Sequence, residues 1–218
     1  MRPEFWLSRW QQNKTGFHQE QVNPSLKKFL PELGLRKGDR VFMPLCGKSK
    51  DMLWLREQGY AILGVEISPL AVEAFFKENS LKPNRKTQGR FTIWKSGSIQ
   101  VLCGDFFDLA ATGMDGANAV YDRASLIAFP AAMRQRYATH LASLMPAKTR
   151  MLLVTLEYPQ AQMNGPPFSV DEQELRALYE GLYEIRLLEK NDILEQEPRF
   201  KEKGLTQLVE KTYLAVRC

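Results

Sequence analysis

The spacing of apolar positions changes along the chain. Up to residue 34 it is helical: Glu4–Gln12 reads as one helix and Pro24–Leu33 as a second, with Leu26, Phe29, Leu30 and Leu33 on one face. Asn23 is placed to cap the second helix, Pro24 suits its first position and Gly34 its end, while Asn13–Val22 is a polar loop. From Asp39 short apolar runs alternate with helical segments: Val41–Leu45, then Lys50–Gln58 stopped by Gly59; Ala61–Ile67, then Pro69–Glu78 capped by Ser68. That alternation predicts βαβ units and a parallel sheet. A hairpin follows, Arg90–Lys95 and Ser98–Cys103 around Ser96–Gly97, and then a strand at Ala117–Tyr121.

Beyond Pro130 a cover helix carries Met133, Tyr137, Leu141 and Leu144 on its apolar face and leads to a strand at Arg150–Glu157. A Pro/Gly-rich loop, Tyr158–Ser169, precedes a helix opened by Asp171, with Glu174 placed to complete a capping box. Tyr183–Leu188 and Leu208–Val216 form a closing antiparallel pair. The expectation is one α/β domain over residues 1–218, of about seven strands, with residues 1–38 as a helical extension.

Composition narrows the class. With 44% apolar and 25% charged residues the chain is ordinary globular material, and at this length roughly 70% of the unfolded surface can be buried without a disulfide or structural metal. Cys46, Cys103 and Cys218 are odd in number and lack C-x-x-C spacing, which points to a reducing, cytoplasmic compartment. No apolar run is long enough for a signal peptide or a membrane span, so a soluble protein with no membrane partner is expected. The net charge of +5 equals the cations of a single acid-free stretch, Asn79–Ser98: Lys82, Arg85, Lys86, Arg90 and Lys95. Only Phe91 and Trp94 could stack bases there, so the stretch reads as a solvated loop leading into the hairpin, and no nucleic-acid partner is expected.

In an open α/β sheet, ligands sit at the carboxyl ends of the strands. The first such end reads Met43-Pro44-Leu45-Cys46-Gly47-Lys48-Ser49. Its Gly-Lys-Ser imitates the end of a phosphate loop, but Phe42 stands where the first glycine belongs, and there is no G-x-G-x-x-G either. Glu66, 21 residues after Leu45, can accept both hydroxyls of a ribose or simply end a strand. Asp105 could accept from an adenine amine and Phe106 cover its ring, or they are a loop acid and a core ring. With Asp122-Arg123 at the fourth strand end, three acidic strand ends and a turn without a phosphate signature point to an adenosine ligand lacking pyrophosphate. S-adenosylmethionine fits that description.

Four segments together resemble the thiopurine S-methyltransferase family: Phe42-Met43-Pro44-Leu45-Cys46-Gly47-Lys48, Gly64-Val65-Glu66-Ile67-Ser68, Asp122-Arg123-Ala124-Ser125-Leu126 and Gly165-Pro166-Pro167-Phe168. The likeness spans almost the whole chain, including Trp6–Trp10. It implies a Rossmann-like methyltransferase fold with a seven-stranded, mostly parallel sheet, S-adenosylmethionine as methyl donor, and aromatic or heterocyclic thiols as acceptors. Bacterial members of the family are also associated with selenium and tellurium compounds. By matching positions, the resemblance implies that Trp10, Leu45, Glu66 and Arg123 bind the donor, with Asp105 and Phe106 about its adenine. It places Phe17, Arg123 and Arg199 near the acceptor, with Gly165–Phe168 as part of its cover and residues 1–38 over the site. A monomer acting on a small-molecule thiol is expected.

Methyl transfer to sulfur asks little of catalytic side chains. A thiolate meets a sulfonium and charge disappears toward the transition state, so orientation, worth on the order of 7–11 kcal/mol, and a dry pocket do most of the work. No residue is assigned as a general base. Arg123 and Arg199 are the candidates for holding an anionic acceptor. Cys46 reads as a buried thiol rather than a nucleophile, because neither His18 nor His140 is placed beside it, and no metal-ligand spacing is present. Two other classes share some of these features: a nicotinamide- or other nucleotide-dependent oxidoreductase, through Glu66, and a non-enzymatic nucleotide- or RNA-binding module, through the basic stretch.

Overall fold

The computed structural model describes residues 3–114 and 116–218, and divides into two compact units, residues 1–121 and 122–218. In the first, α1 (Pro3–Gln11) and α2 (Pro24–Phe29) precede the sheet. Asn23 accepts the Leu26 N–H at 3.2 Å, a cap that satisfies one of the orphan amides of α2. The helix tightens to a 3-10 turn over Leu30–Leu33, and Gly34, at φ 64°, ends it in the left-handed conformation.

The strands of this unit are β1 (Arg40–Met43), β2 (Ala61–Glu66), β3 (Asn84–Gln88), β4 (Phe91–Ser96), β5 (Ile99–Cys103) and β6 (Ala117–Arg123). They lie in the order β3-β4-β5-β2-β1-β6. β1 pairs in parallel with β2 and β6, and β2 with β5, whereas β3, β4 and β5 form an antiparallel arm. Helices α3 (Asp51–Glu57) and α4 (Pro69–Glu78) make the βαβ crossovers, α4 capped by Ser68, which accepts the Ala71 N–H at 3.3 Å. Met43 pairs with Gly64, and Glu66 with Cys103, so the carboxyl ends of β1, β2 and β5 emerge at one edge of the sheet.

In the second unit, β7 (Arg150–Glu157) and β8 (Tyr183–Asp192) flank β9 (Val209–Arg217), antiparallel throughout. Helices α5 (Ala131–Leu144), α6 (Glu172–Tyr179) and the short α7 (Pro198–Lys201) accompany them. Tyr158, Leu194, Phe200, Leu205 and Leu208 form a small separate core.

Among the described residues the strands number nine rather than seven. The clearest addition is β3, inside the stretch expected to be a solvated loop: its five residues are all exposed and polar, so no apolar alternation announces it. Its lysine and arginine suit an edge that must not pair with other chains. On α5 the buried face takes Arg134 while Met133 is only half-buried. The reason lies forty residues on, where Glu174 meets the Arg134 guanidinium at 2.5 Å. Glu174 is thereby drawn away from the capping box: Asp171 accepts the Glu174 N–H at 2.7 Å, but the Glu174 carboxylate faces the arginine. No helix among the described residues is long and apolar enough to cross a membrane.

Candidate functional site

The turn after β1 is shaped by left-handed backbone at Leu45, φ 46°, and Gly47, φ 52°. Leu45 is not glycine, so the turn carries strain of about 1–3 kcal/mol that its surroundings must hold. They do so by hydrogen bonds to β2: the Cys46 N–H donates to the Val65 carbonyl at 2.9 Å, and the Gly47 N–H to Glu66 Oε2 at 2.9 Å. Glu66 Oε1 accepts the Ser68 N–H at 2.8 Å. The side chain is 6% exposed, and the Ile67 N–H adds a third backbone hydrogen bond to the carboxylate. A carboxylate has about four lone-pair positions, so the hydroxyls of a ribose would share what these three amides leave. Burial pushes the Glu66 pKa up to about 7 against the pull of those amide bonds.

A phosphate has no comparable reception. Lys48, the lysine of the Gly-Lys-Ser imitation, is held by both oxygens of Glu78 at 2.8 and 2.9 Å, and Lys50 by Asn79 at 3.0 Å. Cys46 is buried, and burial and the nearby Glu66 raise its thiol well above the usual range. It fills the space left by the absent side chain of Gly64, where a Cβ would come within 2.7 Å of its Sγ. It is a packing thiol.

The helical extension reaches the same turn. A Cβ on Gly47 would lie 3.4 Å from Cζ2 of the buried Trp10. Trp10 meets Phe17 edge-on at 5.4 Å between centroids, and Phe17 meets Trp6 at 5.6 Å. Next to Phe17, His18 has a lowered pKa through burial and the charge of Lys48, which keeps its imidazole neutral at pH 7.

The end of β5 joins this edge through the Gly104 N–H, which donates to the Glu66 carbonyl at 2.9 Å. Asp105 caps the 3-10 turn Phe106–Asp108, its Oδ1 accepting the Phe107 N–H at 2.9 Å, and Phe106 is buried edge-on to Phe107 at 5.3 Å. The first unit therefore brings together Trp10, Phe17, Leu45 and Glu66, and joins the Asp105–Phe106 loop to Glu66 through the backbone.

The remaining candidates belong to the second unit. Asp122 differs from the other two strand-end acids: it is fully buried, accepts the Tyr137 hydroxyl at 2.6 Å and the Ser125 and Leu126 N–H groups at 3.3 Å each, and so is spent within the fold. Burial raises its pKa to about 6. Of the three acidic strand ends, Asp122 is therefore the one whose carboxylate is taken up by bonds within the fold. Arg123 follows it half-buried, directly before the left-handed Ala124 at φ 67°. Arg199, on α7, pairs with Glu197 at 2.9 Å and lies 4.8 Å from the Phe200 centroid. In the Gly165–Phe168 loop, a Cβ on Gly165 would strike the Phe168 ring at 2.5 Å, and the Phe168 N–H donates to the Ile127 carbonyl at 2.8 Å.

Two features had no signal in the sequence. Asp51, 1% exposed, accepts the Asn23 N–H at 2.9 Å and the Tyr121 hydroxyl at 3.2 Å, tying α2 and β6 to the helix that follows the turn. A cavity of about 690 Å³ beside Phe168 is lined by Arg134, Glu157, Tyr158, Asp171 and Glu174. Its ionic walls do not suit an apolar aromatic thiol.

Residues 1–217 match the family model described as thiopurine S-methyltransferase. A thiopurine S-methyltransferase of Nitrosospira multiformis is 51% identical over 214 residues, covering 98% of this chain and 97% of the relative. One of Bordetella petrii is 50% identical over 208 residues, 95% of each. Among solved structures, a SAM-dependent methyltransferase from Anabaena variabilis superposes with a TM-score of 0.67 at 12% identity, covering 99% of this chain and 95% of that one.

Proposed function

Because the chain belongs to the thiopurine S-methyltransferase family, we propose that it catalyses S-adenosylmethionine-dependent methylation of the sulfur of aromatic or heterocyclic thiols. The observation that carries the proposal is Glu66: a buried carboxylate at the end of β2, oriented by backbone amides, beside a turn whose Lys48 is ion-paired with Glu78 and whose Lys50 is bonded to Asn79 rather than turned to a pyrophosphate. That last point weighs against a nicotinamide or nucleoside-triphosphate ligand.

When bound, S-adenosylmethionine supplies an electrophilic methyl group on a sulfonium. The chain's own residues hold and shield. Glu66 accepts the ribose hydroxyls, Asp105 and Phe106 receive the adenine, and Trp10 and Leu45 close on the remainder. Arg123 serves the donor and the acceptor, Phe17 offers its ring to the acceptor, and Arg199 favours the acceptor as an anion, lowering the cost of the thiolate. The apolar rings of the extension and the Gly165–Phe168 loop exclude water, leaving the charges of the reactants less solvated than in bulk. The chain works as one monomeric methyltransferase domain in the cytoplasm, with residues 1–38 over the site.

Thermal unfolding with added ligands tests the reading. S-adenosylmethionine and S-adenosylhomocysteine at 100 times their dissociation constants add about 2.7 kcal/mol and raise the melting temperature, while NAD and ATP do not. Labelled methyl transfer to a panel of thiol, selenol and tellurite acceptors then names the substrate. Stabilisation by NAD alone, with no methylated product, refutes the proposal.

A further inference from the structure

The basic hairpin β3–β4 has no part in the function so far, yet its turn abuts the loop that follows β5. Thr92 pairs with Cys103, and the next step of that antiparallel register sets Phe91 opposite Gly104. There is no room between them. A Cβ on Gly104 would lie 2.5 Å from Cδ1 and 2.8 Å from Cε1 of Phe91, and 3.0 Å from the Arg90 carbonyl. The same short segment makes a second contact with the loop, as Arg90 Nη1 meets Asp108 Oδ1 at 2.7 Å. From the other side the Gly104 N–H is held by the Glu66 carbonyl.

We propose that Phe91, seated on the bare α-carbon of Gly104, is a positioning residue for donor binding: it sets the 104–108 loop at the height at which Asp105 and Phe106 meet adenine. The inference rests on the reading above that these two residues receive the adenine. Of the two hairpin contacts the ring is the effective one, because the Arg90 side chain is 77% exposed and its ion pair is screened by water. The ring cannot give way freely. It belongs to a strand paired on both sides, to β3 through Gln88 and to β5 through the neighbouring Thr92. A side chain at 104 must therefore displace either the ring or the loop, and the loop, a single 3-10 turn, is the softer element.

Gly104→Ala is expected to weaken S-adenosylhomocysteine binding about tenfold by calorimetry, the size of one lost hydrogen bond to the adenine. The donor KM rises accordingly, while kcat at saturating donor stays within about twofold, because adenine is the part of the donor remote from its sulfonium methyl. Removing the obstructing ring should relieve the clash: Gly104→Ala in a Phe91→Ala background should cost less than threefold relative to Phe91→Ala alone, a coupling that independent sites do not show. Phe91→Ala by itself should lower affinity for adenosine by the same factor as for S-adenosylhomocysteine, and this arm decides the matter even where Gly104→Ala does not fold.

Equal losses from Gly104→Ala with and without the Phe91 ring overturn the proposal, as does a Phe91→Ala effect that spares adenosine. Asp105→Asn separates this from failure of the underlying reading. If Asp105→Asn weakens adenosine binding and Gly104→Ala does not, the positioning role of Phe91 falls and the adenine assignment stands. If neither substitution has an effect, both fall.

Discussion

Glu66 and Gly47 lie 19 residues apart and are joined by a 2.9 Å hydrogen bond from the Gly47 N–H to Glu66 Oε2. The bond gives one side chain two tasks. It restrains the strained turn after β1, and it orients the carboxylate that is assigned to the ribose.

Glu66→Gln keeps the shape of the side chain but removes the charge, and its amide nitrogen cannot accept the N–H bond that one carboxylate oxygen receives. Loss of a charged acceptor weakens donor binding by about 1.5–3 kcal/mol. Calorimetric titration with S-adenosylhomocysteine measures it. An affinity equal to wild type would reduce Glu66 to a clamp on the turn.

The raised pKa of Glu66 makes donor binding depend on pH. The ionised carboxylate is the form that accepts two hydroxyls, so affinity rises as pH climbs through about 7 and levels off above it. Stability runs the other way. Between the ordinary value of 4.5 and about 7 the folded protein keeps a proton that the unfolded chain has lost, so this group makes the fold less stable as pH rises across that window. Asp122 adds a decline of the same sign between 3.8 and about 6. Donor affinity measured from pH 5.5 to 8.5 should lose its slope in Glu66→Gln, and melting curves in Asp122→Asn should lose the lower part of theirs.

The two arginines are separable by acceptor charge. Arg199→Ala should reduce turnover of a carboxylate-bearing aromatic thiol more than of its uncharged analogue, with donor affinity unchanged. Arg123→Ala should be the more severe and should weaken donor binding as well. Steady-state kinetics on both thiols, beside donor calorimetry, provide the comparison; equal losses on both thiols for both variants would make them scaffold residues.

Arg134 and Glu174 offer a test of the second unit. The arginine side chain is 3% exposed and also donates to the Phe129 carbonyl at 2.9 Å, so Glu174→Gln leaves a buried cation short of its counterion. The loss should be about 1.5–3 kcal/mol, moderated because Glu174 itself is 30% exposed. Arg134→Leu combined with Glu174→Leu should be less destabilising than Glu174→Gln, since no charge is then stranded. Urea unfolding of the three proteins gives the ranking.

Much of the fold is legible because its signals are local. The caps at Asn23, Ser68 and Asp171 act within three residues of themselves, and each accepts the backbone N–H that its place in the chain predicts. The apolar runs of β1, β2 and β7 are buried strands for the same reason: a segment with no polar face has nowhere to go but inside. The turn residues Leu45–Gly47 and the strand-end Glu66 were identifiable as a candidate site because the sequence order of a βαβ unit determines which loops lie at the carboxyl edge.

Whatever depended on a distant partner was not legible. β3 has no pattern of its own and is a strand only because β4 offers it a free edge. Arg134 sits on a buried helix face because Glu174 neutralises it, and Asp122 turns inward because Tyr137, Ser125 and Leu126 supply its bonds. Sequence by itself determined the alternation of elements, their caps and the residue types at the strand ends, since these follow from periodicity and from bonds between near neighbours. Only the tertiary structure decided that the Asp122 carboxylate is taken up by a distant hydroxyl, because a carboxylate's bonds depend on which N–H and O–H groups the packed chain brings to it.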